Sequence, residues 1–120
     1  MKEQIKNFKD LIVWQKAYDL TLSIYQLTKK FPHEEQYGLV SQMRRAAVSI
    51  VSNIAEGHSR KSRTEYAQFL SIAYGSLSEL ETQILISGNL KFILETDVQN
   101  LIQLKDQIGG MLYTLMQKLR

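Results

Sequence analysis

The sequence predicts an all-α fold, an antiparallel up-down-up-down four-helix bundle that takes residues 1–120 as a single domain. Three observations carry that expectation. Apolar residues recur three and four positions apart in four separate stretches, the spacing that lines one face of a helix. Only one proline, Pro32, interrupts 120 residues, and an all-β domain of that length needs more turn-makers. With 44% hydrophobic and 22% charged residues, the chain has enough apolar material for one core and lacks the skew of a disordered segment.

The first helix is expected over about 11–30, where Val13, Ala17, Leu20, Ile24, Leu27 and Phe31 step alternately by four and three. Lys29 and Lys30 suit the negative end of a helix, and a residue before proline disfavours helical geometry, so Phe31-Pro32 ends it. The second helix, about 36–57, carries the seam Leu39, Met43, Ala46, Ile50 and Ile54, with Gly57 and the polar run from His58 to Lys61 as its break. Val40, Ala47, Val48, Val51 and Ala55 widen that seam towards half the cylinder, more than one core requires. The surplus of small side chains implies either close packing inside the bundle or a subunit contact.

The third helix, about 63–87, opens with the capping pattern Ser62-Arg63-Thr64-Glu65. Tyr66, Leu70, Ala73, Leu77, Leu80 and Ile84 form the most regular seam, a repeat suited to knobs-into-holes packing. Gly75 inside this helix is expected to mark a close backbone approach, because glycine there costs about 1 kcal/mol relative to alanine. Gly88-Asn89 ends the helix. The fourth, about 96–119, has a capping pattern at Thr96 to Gln99 and the seam Leu101, Leu104, Ile108, Met111 and Leu115, with Gly109-Gly110 as its weakest point. Short links between helices force antiparallel neighbours.

The net charge of +3 is mild, and its distribution says more. From Gln42 to Arg63 the bases are Arg44, Arg45, Arg60, Lys61 and Arg63, and the only acid is Glu56. Arg44, Arg60, Lys61 and Arg63 are candidate phosphate contacts, since a guanidinium can grip a phosphate with two donors. The competing reading is salt bridging to Glu56, Glu65, Glu79 or Glu81. A stripe of Gln42, Arg45, Ser49, Ser52, Asn53 and Glu56 follows the opposite arc of the second helix. It is either a solvated face or a partly buried polar network at an oligomer interface, where Ser, Gln and Asn can satisfy one another.

Aromatic side chains at Trp14, Tyr18, Tyr25, Tyr37, Tyr66 and Tyr74 lie mostly at or beside the seams, which points to packing more than to base stacking. Catalysis finds no support in the residues. Neither His33 nor His58 follows a glutamate by three positions, as di-metal bundles require. Glycine-rich phosphate loops, zinc-ligand spacings and nucleophile elbows are missing too. We therefore expect a non-enzyme with no cofactor and no metal site. Cysteine is absent, so no disulfide framework exists and a reducing compartment suits the chain. The opening MKEQIKNFKD is broken by Lys2, Lys6, Lys9 and Asp10, unlike a secretory signal, and no later run reaches the roughly 20 apolar residues of a membrane span. A cytoplasmic protein without membrane contact is the expectation.

Several motifs together give the chain a family likeness: Leu11-Ile12-Val13-Trp14-Gln15-Lys16-Ala17, then Phe31-Pro32 with Glu35 and Tyr37-Gly38-Leu39. After them come Ser41-Gln42-Met43-Arg44-Arg45-Ala46-Ala47-Val48-Ser49-Ile50, Ser52-Asn53-Ile54-Ala55-Glu56-Gly57, and Ala73-Tyr74-Gly75-Ser76-Leu77 with Glu79. On these the chain resembles, over nearly its whole length, the bacterial four-helix-bundle family called 23S rRNA intervening sequence proteins. Val51 departs from it, standing where relatives often carry proline. The resemblance implies a homopentamer shaped like a barrel or funnel. It also links the chain to the accessory protein of diversity-generating retroelements, a similar basic pentamer thought to bind nucleic acid and a reverse transcriptase. The family name reflects where the genes lie, and most members have no established activity. Two functions follow as expectations: an oligomeric scaffold that binds RNA or DNA through a basic surface, or a protein-interaction adaptor with no nucleic-acid role.

Overall fold

The computed structural model describes residues 7–120, and Lys2 and Lys6 of the opening segment lie outside the described residues. A 3₁₀ turn at Phe8–Asp10 leads into α1 (Ile12–Thr28), and the Gln15 side chain donates back to the Lys9 carbonyl at 2.8 Å. Pro32 starts a second 3₁₀ turn, His33–Glu35, and a π-helical turn at Gln36–Val40 runs into α2 (Ser41–His58). Helices α3 (Arg63–Asn89) and α4 (Glu95–Lys118) complete an all-α chain with no strand among the described residues. Its extents are 48 × 26 × 21 Å.

The seams read from the sequence supply most of the core, except on α4, where Leu112 is buried and the expected Leu104, Met111 and Leu115 are only half-buried. Val13, Ala17, Leu20 and Ile24 of α1 are buried with Met43, Ala46, Ala47, Ile50 and Ile54 of α2. Leu70, Ala73, Leu77, Leu80 and Ile84 of α3 meet Leu101, Ile108 and Leu112 of α4 in the same cluster. Non-polar area is thereby removed from water along the whole bundle, the principal stabilising term. Phe31 and Phe92 close one end, ring centroids 5.3 Å apart.

Four details differ from the sequence reading. The entry to α2 is a π turn because Gly38 leaves helical geometry (φ −111°, ψ −108°) while the Glu35 carboxylate accepts from the Leu39 amide at 3.3 Å. Gly57 does not break α2. It is buried inside the helix, and a β-carbon there would lie 2.9 Å from the Phe69 β-carbon, so glycine permits α2 and α3 to touch. Gly75, expected to sit against a neighbouring backbone, has open space where its β-carbon would be. The cap of α4 falls at Leu94, with the Asp97 carboxylate accepting from the Leu94 amide at 3.1 Å, because Thr96 is already inside the helix.

Helix α3 ends in a Schellman motif. Phe92 donates to the Ser87 carbonyl at 2.9 Å and Lys91 to that of Gly88 at 3.0 Å. The motif places its penultimate residue in the left-handed region, and here that residue is Lys91, with φ 64°.

Candidate functional site

The turn from α2 to α3 is short and polar, so its cations project where the chain reverses. Arg60 follows the last turn of α2, where its guanidinium reaches back one turn to Glu56 at 3.2 Å and lies 4.9 Å from the centre of the Phe69 ring. Both partners of that ion pair stay well exposed. Lys61 is exposed and has no ion-pair partner among the described residues. Ser62 caps α3, its hydroxyl accepting from the Glu65 amide at 3.2 Å. Arg63, at the first position of α3, donates to the Lys118 carbonyl in the last turn of α4.

That last contact adds residues the sequence reading missed. It draws the end of α4 to the α2–α3 turn, so Lys118 and Arg120 join Arg60, Lys61 and Arg63 at one end of the bundle. Those five bases share that end with Glu56 and Glu65, and with Lys9 and Asp10 of the opening 3₁₀ turn that packs on α2, which leaves a local excess of +3. Lys118 and Arg120 lie more than fifty residues beyond the turn in sequence, and only the pairing of helix ends reveals them.

Arg44 does not belong to this cluster. It begins the other end of α2, sixteen residues or roughly 24 Å of helix away from Arg60. Its guanidinium is already engaged: Nε donates to the Thr28 hydroxyl at 2.9 Å, a terminal nitrogen donates to the Tyr25 carbonyl at 3.4 Å, and the group lies 4.6 Å from the Tyr25 ring centre. The apparent basic stretch from Gln42 to Arg63 is thus two separate sites, because a helix spaces residues that a linear count adds together.

The polar stripe of α2 also divides. Ser49 and Asn53 are partly buried and form a network with α3: the Ser49 and Ser76 hydroxyls lie 2.8 Å apart, and the Asn53 amide donates to the Ser49 carbonyl at 2.7 Å and hydroxyl at 3.1 Å. Gln42, Arg45, Ser52 and Glu56 are exposed. Elsewhere on α3, Gln83 is 5% exposed and donates to Glu79 at 3.2 Å, while its carbonyl oxygen has no partner among the described residues.

Of the aromatic residues, Trp14 packs between Phe8 and Tyr18, and Tyr66 meets the edge of His58. Burial pushes the Tyr66 phenol above its ordinary range. Tyr18 and Tyr25 are exposed at the rim, stacked on Trp14 and under the Arg44 guanidinium, and Tyr74 is exposed too, while Tyr37, 93% exposed, departs from the packing expected of most of these aromatics. Among the described residues no group of three metal-ligating side chains converges. No helix among them is long and apolar enough to cross a membrane.

Known proteins place this architecture. A crystal structure of a protein of unknown function from the S23 ribosomal protein family, from Bacteroides thetaiotaomicron VPI-5482, superposes with a TM-score of 0.81 at 22% identity, covering 88% of this chain and 98% of that one. That likeness shows a shared fold. No curated protein matches the chain. The family model described as 23S rRNA-intervening sequence protein matches residues 9–114, a span that reaches all four helices. The chain therefore belongs to the 23S rRNA-intervening sequence protein family.

Proposed function

We propose that the chain is a non-enzymatic, oligomeric scaffold of the cytoplasm that binds RNA or DNA through the basic end formed by Arg60, Lys61, Arg63, Lys118 and Arg120. One observation carries the reading: the Arg63 contact to Lys118 gathers cations from three helix ends at one pole. Phosphate backbones bind such clusters without needing a deep pocket, and multiplication of the cluster in an assembly turns a mild charge into a strong field.

The bundle runs up-down-up-down with antiparallel neighbours. Support comes from pairs whose numbers run in opposite directions, Arg44 with Thr28, Met43 with Ser87, Ser49 with Ser76, and Lys105 with Glu81 against Arg63 with Lys118. Five copies in a ring are the assembly we favour, since family resemblance implies a pentamer. Exposed Gln42 and Ser52 of the α2 stripe offer polar groups for its contacts.

The second reading is an adaptor that binds protein, such as a reverse transcriptase, and no nucleic acid. Exposed Tyr18, Leu22 and Tyr25 on α1, with Ile72 and Ile86 on α3, favour it. Light-scattering mass and the ultraviolet absorbance ratio of protein purified without nuclease separate the two. The scaffold reading expects a multiple of the 13.9 kDa chain carrying nucleic acid, released by salt and lost in the double variant Arg60→Ala, Lys61→Ala without change of mass. A nucleic-acid-free oligomer that binds no RNA or DNA at low salt would leave the adaptor reading in its place.

A further inference from the structure

At the pole opposite the basic end, where α1 hands over to α2, lies an open cleft of about 450 Å³. Its walls include Tyr25, Gln36, Tyr37, Ser41, Arg44 and Arg45, and among the described residues no carboxylate lines it. The volume falls within the roughly 300–1,000 Å³ of small-molecule clefts. We propose that this cleft is a single-nucleotide site, in which Tyr37 stacks an unpaired base and Arg45, beside the fixed guanidinium of Arg44, takes its phosphate. The proposal rests on the nucleic-acid reading of the chain and adds a second contact, distinct from the basic end in place and in chemistry.

Chemistry selects the ligand. Two arginines with no acid among the lining residues call for an anion, and an aromatic wall calls for a flat, polarisable ring. A nucleotide combines both. Tyr37 is 93% exposed, which leaves its ring face available and gives the fold nothing in return. It is carried on the π turn at Gln36–Val40, whose geometry is held by the Glu35 carboxylate on the Leu39 amide. Glu34 and Glu35 precede the turn, and neither lines the cleft.

Arg44 is held in place before any ligand arrives, by Thr28, the Tyr25 carbonyl and the Tyr25 ring. A fixed guanidinium loses little freedom on binding. Arg45 has no ion-pair partner among the described residues, so its charge is uncommitted. Gln36 and Ser41 supply donors and acceptors for a base edge. A base inside a duplex has both faces covered by its neighbours, so the site suits a single strand, as stacking platforms on other strand-binding proteins do.

The test uses the full chain with uridine 5′-monophosphate, ribose 5-phosphate and a fluorescent eight-nucleotide oligo(U). Saturation transfer from protein to the uracil protons is expected, with competition between the mononucleotide and the octamer. Tyr37→Ala should weaken the octamer on the order of tenfold, Tyr37→Phe should keep its affinity, and Arg45→Ala should weaken both phosphates. The double variant Arg60→Ala, Lys61→Ala should still show transfer to uracil, which separates this site from the basic end. Equal binding of ribose 5-phosphate with no transfer to uracil would reduce the cleft to a patch for anions and overturn the proposal. Octamer binding indifferent to Tyr37→Ala, or a loss of oligomer mass in that variant with nucleotide binding unchanged, would overturn it as well, the latter by giving Tyr37 to a second copy of the chain.

Discussion

Gly57 and Phe69 approach so closely that a β-carbon on Gly57 would lie 2.9 Å from that of Phe69 and 3.3 Å from the Tyr66 carbonyl oxygen. Neither atom is the far end of a flexible side chain, so alanine at 57 has to push α2 and α3 apart. Gly57→Ala should therefore destabilise the fold by about 1–3 kcal/mol, the usual penalty for overpacking. Thermal or urea unfolding followed by circular dichroism measures it, and an unchanged midpoint would mean that the helices separate freely.

Gly75 and Gly110 should behave in the opposite way. Each is helical with open space at its β-carbon position. Gly75→Ala and Gly110→Ala are each expected to stabilise the helix by about 0.5–1 kcal/mol, because alanine restricts the unfolded chain and meets nothing in the folded one. Light scattering on Gly75→Ala adds a second readout: a fall in mass would show that another copy fills the space beside α3.

Lys91 occupies the left-handed position of the α3 Schellman motif, φ 64°, where a β-carbon is unfavourable and glycine is the usual choice. Lys91→Gly should raise stability by about 1 kcal/mol. The same unfolding measurement checks it. Lys91→Val, which stiffens the backbone against that region, should lower the midpoint.

Two groups tie stability to alkaline pH. Burial pulls the Lys105 ammonium downward, yet its hydrogen bonds to Asp106 at 2.6 Å and Glu81 at 3.0 Å outweigh burial, and the net displacement is upward. Burial alone raises the Tyr66 phenol. In both cases the folded state keeps a proton that the unfolded chain gives up first. Their contributions are therefore complete below the ordinary values near pH 10 and are lost as pH rises through the folded ones. The melting midpoint should fall above about pH 10, and Lys105→Met with Tyr66→Phe should flatten that fall.

Glu56 competes with any phosphate for Arg60, through a 3.2 Å ion pair that is largely open to solvent. Glu56→Gln should raise RNA affinity by up to about fivefold, since exposed pairs contribute between 0 and 1 kcal/mol. The gain should shrink at high salt, where phosphate contacts weaken together. Filter binding at two ionic strengths distinguishes this from a change in assembly.

The helical seams were legible because burial imposes a period on the sequence, and α3 shows it best: Leu70, Ala73, Leu77, Leu80 and Ile84 are all buried. Glycines were harder. Gly57, Gly75 and Gly88 look alike in a string of letters. The first faces Phe69, the second faces space, and the third leaves room for Val98, whose Cγ2 would lie 2.7 Å from an added β-carbon. What a glycine makes room for is set by a partner tens of residues away. The basic end was half visible for the same reason: Arg60, Lys61 and Arg63 are adjacent in sequence, and Lys118 and Arg120 arrive through tertiary pairing. Tyr37 was not legible: it stands two residues before the α2 seam in sequence, and in the π turn it is 93% exposed.

The contact of Gly57 with Phe69, the Ser49–Ser76 pair and the bond from Ser87 to Met43 bind α2 to α3 along their full length. These two helices are joined by a turn of only four residues, so the tightest pairing in the molecule is also among the cheapest in loop entropy. Folding can begin there, with local contacts, before α1 and α4 dock. The central hairpin should then hold the slowest-exchanging amides of the chain, with those of the outer two helices exchanging sooner. A partner that displaced α1 or α4 would leave that hairpin standing.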